Sequence, residues 1–235
     1  FYNAGAFNQS LHKWDISSVN DFNTIFQEAS SLSDANKAAI HSSFKSNSHW
    51  TTDWSSFIGS TPLNDSNFQT AINMWFSDEA YAIATYGHIR DWNTSAVTNM
   101  TQAFVNRSNF NEDISNWDVS KVTNFVRMFK NASSFNQPIG DWNTSSATTF
   151  LSLFEGASSF NQPIGNWDTS KVTHFTYLFQ RASSFNQAVE DWNTSSVLST
   201  GQMFTGATSF NQPIGNWDTS SVTSMNAMFK NASSF

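Results

Sequence analysis

The chain has no cysteine among its 235 residues, which excludes disulfides and thiolate sites. Charge is scarce: Asp, Glu, Lys and Arg make up 12% of the residues, about half the usual share. The balance is acidic, at net −7, and Lys and Arg form no run. Nucleic acid is therefore not an expected partner, because neutralising phosphates takes clustered cations. No apolar run approaches the ~20 residues a bilayer span needs, and no signal peptide is visible. There is no phosphate loop and no Gly-x-Ser-x-Gly. His12, His41, His49, His88 and His174 never recur at a ligand spacing. No enzyme activity, cofactor or metal is expected.

Aromatics are abundant, with 23 Phe and 10 Trp, so the chain has ample apolar surface to bury. They are also periodic. Trp92, Trp117, Trp142, Trp167, Trp192 and Trp217 stand 25 residues apart, and Trp14 heads an outlying copy. A fixed period in this range marks stacked repeats. Counting each Trp as offset 0, offset 12 is Phe from Phe104 to Phe229 and offset 18 is Phe from Phe110 to Phe235. Offset 5 is Val or Ala, and offset 15 is Ala except at Arg107.

Apolar residues at offsets 8, 11, 12 and 15 share one face of a helix. Offsets 2 to 7, as in Thr169-Ser170-Lys171-Val172-Thr173-His174, are β-branched and Ser-rich and suit a short strand. Asn136-Gln137-Pro138-Ile139-Gly140 reads as a turn, with Pro fixing φ and Gly permitting a positive one. The expected fold is thus an α/β repeat solenoid, its leucine-rich-repeat-like coils made of a short strand plus a short helix, closed by helical caps.

Residues 1–58 read as the last coil and closing cap of a preceding array, with a helix near 33–44. Residues 59–62 are the linker. Residues 63–90 form a helical opening cap, with a helix from Ser66 to Phe76 capped by Asp65 or Ser66 and a further turn from Ala80. Residues 91–235 are a six-coil array. The chain opens and stops at the same repeat phase, so a piece of a longer polypeptide is expected.

The residues flanking Trp alternate: Asp91 and Asn93, Asn116 and Asp118, Asp141 and Asn143, Asn166 and Asp168, Asp191 and Asn193, Asn216 and Asp218. Stacked in register, each Asp would lie beside an Asn, which avoids like-charge repulsion of about 1 kcal/mol. This predicts a structural polar ladder; calcium and sugar-stacking readings are the alternatives. The Trp column itself is expected to be core, and the Thr columns at offsets 2 and 6 to be structural.

The motif Trp-Asp-Thr-Ser-x-Val-Thr-x-Met-x-x-Met-Phe-x-x-Ala-x-x-Phe, nearly complete in Trp217 to Phe235, resembles the repeat of BspA-like bacterial surface proteins. The likeness covers 1–32 and 91–235. It implies secretion or cell-surface display and adhesion to a protein or glycan on another cell or matrix, and it carries no catalytic residues. Assembly of coils end to end into a fibre or surface layer, with self-association, is the alternative. Binding is expected on the irregular outward positions and in the caps at 33–90.

Overall fold

The structure, a computed structural model, describes residues 1–59 and 61–235; Ser60, within the expected linker, lies outside the described residues. It contains two compact units, Phe1–Pro62 with Thr70–Trp92, and Leu63–Gln69 with Asn93–Phe235. Helices are few: α1 (Asp34–Phe44), α2 (Phe68–Ser77) and α3 (Glu79–Tyr86). Local capping chemistry accounts for α1 and α3. Ser33 Oγ accepts the Asn36 N–H at 3.3 Å. The Asp78 carboxylate accepts the Tyr81 N–H at 3.2 Å, and Gly87 at φ 82 ends α3.

In the second unit each 25-residue coil lies on the next. Coils I to VI are counted from Trp92, Trp117, Trp142, Trp167, Trp192 and Trp217. The offset-12 phenylalanines form a column of near-parallel rings 5.5–5.8 Å apart. The offset-18 rings form a second column at 5.8–6.1 Å. Inside each coil the two rings stack at 3.8–4.1 Å. Most of these rings are fully buried, each worth about 1.5–3 kcal/mol of apolar transfer. At the start of this unit, Phe68 packs edge-on against Trp117 at 5.7 Å. The Asp65 carboxylate accepts the Thr98 N–H and hydroxyl at 2.7 and 2.6 Å.

The coils are not the strand-plus-helix units the sequence suggests. Among the described residues of 93–235 there is no helix and no strand, only isolated parallel bridges such as Asn99 with Asn124 and His174 with Ser199. The expected strand fails because the offset-2 carbonyl is taken within its own coil. Thr94 O accepts the Val97 N–H at 2.8 Å, and Thr169 O the Val172 N–H at 2.9 Å, closing a β-turn.

The expected helix is replaced by a train of turns. Met100 O accepts the Ala103 N–H at 3.2 Å, and Phe104 O the Arg107 N–H at 3.1 Å. The residue in the third place of each such turn has positive φ: 50–60° at Gln102, Arg127, Ser152, Tyr177, Gln202 and Ala227, and 57–71° at Asn106, Asn131, Gly156, Arg181, Gly206 and Asn231. Their N–H groups point along the stack: Gln102 donates to Val126 O at 2.9 Å and Asn106 to Lys130 O at 2.8 Å, and later coils repeat the pattern. Four-residue turns set end to end direct their first and last residues inward. Offsets 8, 11, 12 and 15 are therefore apolar for a reason unrelated to a helix.

The return loop also departs from expectation. Gly140 and Gly165 do not have positive φ. They are small because coils approach closely there: a Cβ on Gly140 would run into the Pro163 carbonyl, and one on Gly165 would lie 2.9 Å from the Ala188 carbonyl.

In the first unit, residues 1–32 repeat the same bonding. Asn3 N–H donates to Gln27 O at 2.9 Å, and Ser31 N–H to Gly5 O at 3.2 Å. The loop after α1 then satisfies carbonyls of this coil, with Asn47 Nδ2 donating to Ile16 O and Val19 O at 2.7 and 2.8 Å. Phe22, Phe44 and Trp50 form an aromatic core beside Leu32 and Ile40. Ala38 and Ala39 of α1 meet Ala84 of α3, small residues that let the two helices approach.

Candidate binding face of the coil stack

Trp92, Trp117, Trp142, Trp167, Trp192 and Trp217 are all buried, whereas Trp14 is 50% exposed. The indoles tie coil to coil. Trp142, Trp167, Trp192 and Trp217 each donate Nε1–H to the carbonyl of the residue 28 places back, Ile114, Ile139, Ile164 or Val189, at 3.0–3.3 Å. The same carbonyls accept the backbone N–H of Trp117, Trp142, Trp167 and Trp192 at 3.1–3.3 Å. These indoles are therefore closed to a sugar ring.

The flanking Asp and Asn residues are exposed. Asn93, Asn143 and Asn193 accept the N–H of the serine two places on at 3.1 Å. Asp118, Asp168 and Asp218 do the same at 2.9 Å. These bonds lie inside one coil, and Asp and Asn serve equally in them. Hydrogen bonds from Ser120, Ser170 and Ser220 hold the three carboxyls below the ordinary carboxylate range. Asp91, Asn116, Asp141, Asn166, Asp191 and Asn216 point to solvent.

A ladder between coils does exist, at offset 19. The Asn111, Asn136, Asn161 and Asn186 side chains accept the backbone N–H of Asn136, Asn161, Asn186 and Asn211 at 2.9 Å. Gln162, Gln187 and Gln212 Nε2 donate back to the same asparagines at 2.9–3.0 Å. An Asn at this offset in each of coils I to V was the available sequence signal; the turn reading of Asn-Gln-Pro-Ile-Gly obscured it. The offset-2 threonines are also spent on stacking, with Thr94, Thr144, Thr169 and Thr194 buried and donating to the next coil's offset-1 carbonyl at 2.9–3.0 Å.

The outer side of the turn train varies from coil to coil, and charge along the stack is sorted by offset. Every Lys and Arg of 93–235 lies at offsets 4 to 15, and every Asp and Glu except Glu155 lies at offsets 20 to 24 or offset 1. Glu155 is 7% exposed in its side chain and sits between two cations, Lys130 Nζ at 2.9 Å in coil II and Arg181 Nη2 at 3.2 Å in coil IV. The ion pairs thus clasp three successive coils. Arg127 is exposed, and Tyr177 is partly exposed two coils further along the same column.

The first unit offers a different concavity, an open cleft of about 520 Å³ lined by Trp14, Asp15, Asn20, Ser46, Asn47 and His49. Two histidines of this unit, His12 and His41, have structural partners. His12 Nε2 lies 2.9 Å from Asp78 Oδ2, and its ring stacks on Tyr81 at 4.8 Å. His41 Nδ1 is 3.2 Å from Trp50 Nε1 and 3.3 Å from the Trp54 N–H nitrogen, both donors. Among the described residues no group of three His, Cys, Asp or Glu could hold a metal ion, and no helix is long and apolar enough to cross a membrane.

No curated protein and no solved structure matches the chain. The profile of one family does, the Mycoplasma protein of unknown function, DUF285, over residues 1–65, 70–176 and 161–235. These matches take in both the coil of the first unit and the six coils of the second. The chain, a repeat protein, therefore belongs to the DUF285 family.

Proposed function

We propose that the chain is an extracellular, surface-displayed repeat module that binds protein or glycan partners on another cell or matrix. One observation carries this reading. Inward positions hold nearly fixed residue types from coil to coil, whereas the outer turn face changes chemistry at each coil. Offset 10 runs Gln102, Arg127, Ser152, Tyr177, Gln202, Ala227 on an otherwise uniform scaffold. A stack needs no such variety for its own stability, and an extended face assembled from repeats suits multivalent contact. The repeat's resemblance to BspA-like surface proteins supports the same reading. Binding of the purified chain to cells, to matrix proteins and to a glycan array tests it, with sedimentation at the same concentrations to separate binding from end-to-end assembly. Saturable binding to one partner class is expected. Absence of binding to all three, with fibres in the sedimentation run, would replace this reading by a structural one.

A further inference from the structure

We infer that the turn face of coils II to IV is a recognition site for an acidic saccharide, one carrying a carboxylate or sulfate group on a sugar ring. The inference rests on the binding reading above and names its ligand. Four features of the face meet here. First, cations gather where acids are scarce: Arg127 and Lys130 lie on coil II and Arg181 on coil IV, and the one carboxylate of that face among the described residues, Glu155 of coil III, is buried and already shared by two of them. Second, cationic capacity is left over. The Arg127 guanidinium is exposed, with no side-chain hydrogen bond or ion pair among the described residues. Arg181 uses one nitrogen on Glu155, yet its side chain is 65% exposed. Guanidinium forks suit carboxylate and sulfate oxygens.

Third, an aromatic ring stands beside them. Tyr177 occupies the same column as Arg127, two coils on, at ring-stack steps of 5.5 and 5.8 Å per coil. Ser152, between them in that column, contributes only a short, buried side chain. Tyr offers a face for the apolar side of a sugar and a hydroxyl for its polar edge. Fourth, the positions are held rigidly. The N–H groups of Arg127, Ser152, Tyr177 and Arg181 each bond the next coil at 2.8–3.0 Å. Preorganised groups lose less entropy on binding.

The size of the patch argues for a saccharide over a long polyanion. Acids stand at offsets 20 to 24 of coils I, II and IV, and the chain is net −7, so an extended nucleic acid or polyglutamate would meet repulsion around the patch.

The test uses the whole chain against an array of uronate-bearing and sulfated oligosaccharides with their neutral counterparts, and against polyglutamate. Arg127→Asn and Tyr177→Asn are the informative variants, because both positions have positive φ, which Asn tolerates. Neither variant should lower the melting temperature. Acidic saccharides should bind, with affinity falling as salt rises, and each variant should weaken binding about tenfold or more. Binding to neutral sugars or a protein only, or to polyglutamate as tightly as to the saccharides, or binding unaffected by both variants, overturns the inference while leaving the chain a binding module. Failure to bind any cell, matrix protein, glycan or peptide overturns both.

Discussion

At Gln102 the backbone has φ 60, yet the residue is neither Gly nor Asn. Left-handed backbone costs an ordinary residue about 1–2 kcal/mol. What holds it there is the bond from its N–H to Val126 O, at 2.9 Å in the next coil. Half of this strain was legible in the sequence. Offset 14 carries Asn106, Asn131, Gly156, Gly206 and Asn231, residue types that accept positive φ, with Arg181 the exception. Offset 10 gives no such hint, because Gln, Arg, Ser, Tyr and Ala occupy it and the stack imposes the conformation on them. Gln102→Gly should therefore stabilise the chain by about 0.5 kcal/mol, the relief of strain exceeding glycine's extra unfolded-state entropy. In a helix the same change would cost about 1 kcal/mol. Ala132→Gly, at a buried position not among those with positive φ, should destabilise by roughly 0.5–1 kcal/mol or more. Urea denaturation of both variants measures the sign.

At the scale of the coil, the sequence showed which residues face inward and not which backbone turns them there. Met100, Ala103, Phe104 and Arg107 have the spacing of a helix face, and two consecutive four-residue turns produce the same spacing. Periodicity could not separate the two; only the destination of the backbone N–H groups does. The return loop was misread for a related reason. Glycine there serves the approach of two coils, a contact 25 residues away in sequence. Gly140→Ala should destabilise by about 1–3 kcal/mol, since its Cβ would overlap the Pro163 carbonyl. Gly215→Ala should be neutral or stabilising by up to about 1 kcal/mol, because nothing lies within 4 Å of the added carbon. Equal losses at both positions would mean that local conformation, and not stacking, selects the glycine. Helices α1 and α3 were readable because their end signals are local: Ser33 caps the one and Gly87 ends the other within a few residues.

Over the whole molecule, the Trp spacing was enough to establish repetition and a buried aromatic column. The face a partner would use was less visible, because charges spread thinly along the sequence gather by offset only once coils stack. Glu155 shows this, being paired with Lys130 and Arg181, which are 25 and 26 residues away. The first unit carries the clearest acid response. Burial pushes the Asp78 carboxyl up, but hydrogen bonds from Lys13, His12 and the Tyr81 N–H outweigh it and lower its pKa to about 2. A lowered carboxylate pKa stabilises the fold above the unfolded value of 3.8, and that contribution is lost as pH falls from there through about 2. Roughly 2 kcal/mol should disappear across this window. Asp78→Asn, which retains a helix cap, should flatten stability over the same range; an unchanged pH profile would assign the acid response elsewhere.

The turn-built coil is open to direct measurement of backbone φ by NMR, from three-bond HN–Hα couplings and carbon shifts across residues 100–131. Positive φ is expected at Gln102, Asn106, Arg127 and Asn131, with negative φ at the residues between them. An unbroken run of negative, helical φ from Met100 to Arg107 and again from Phe125 to Ala132 would contradict it and restore the strand-plus-helix coil.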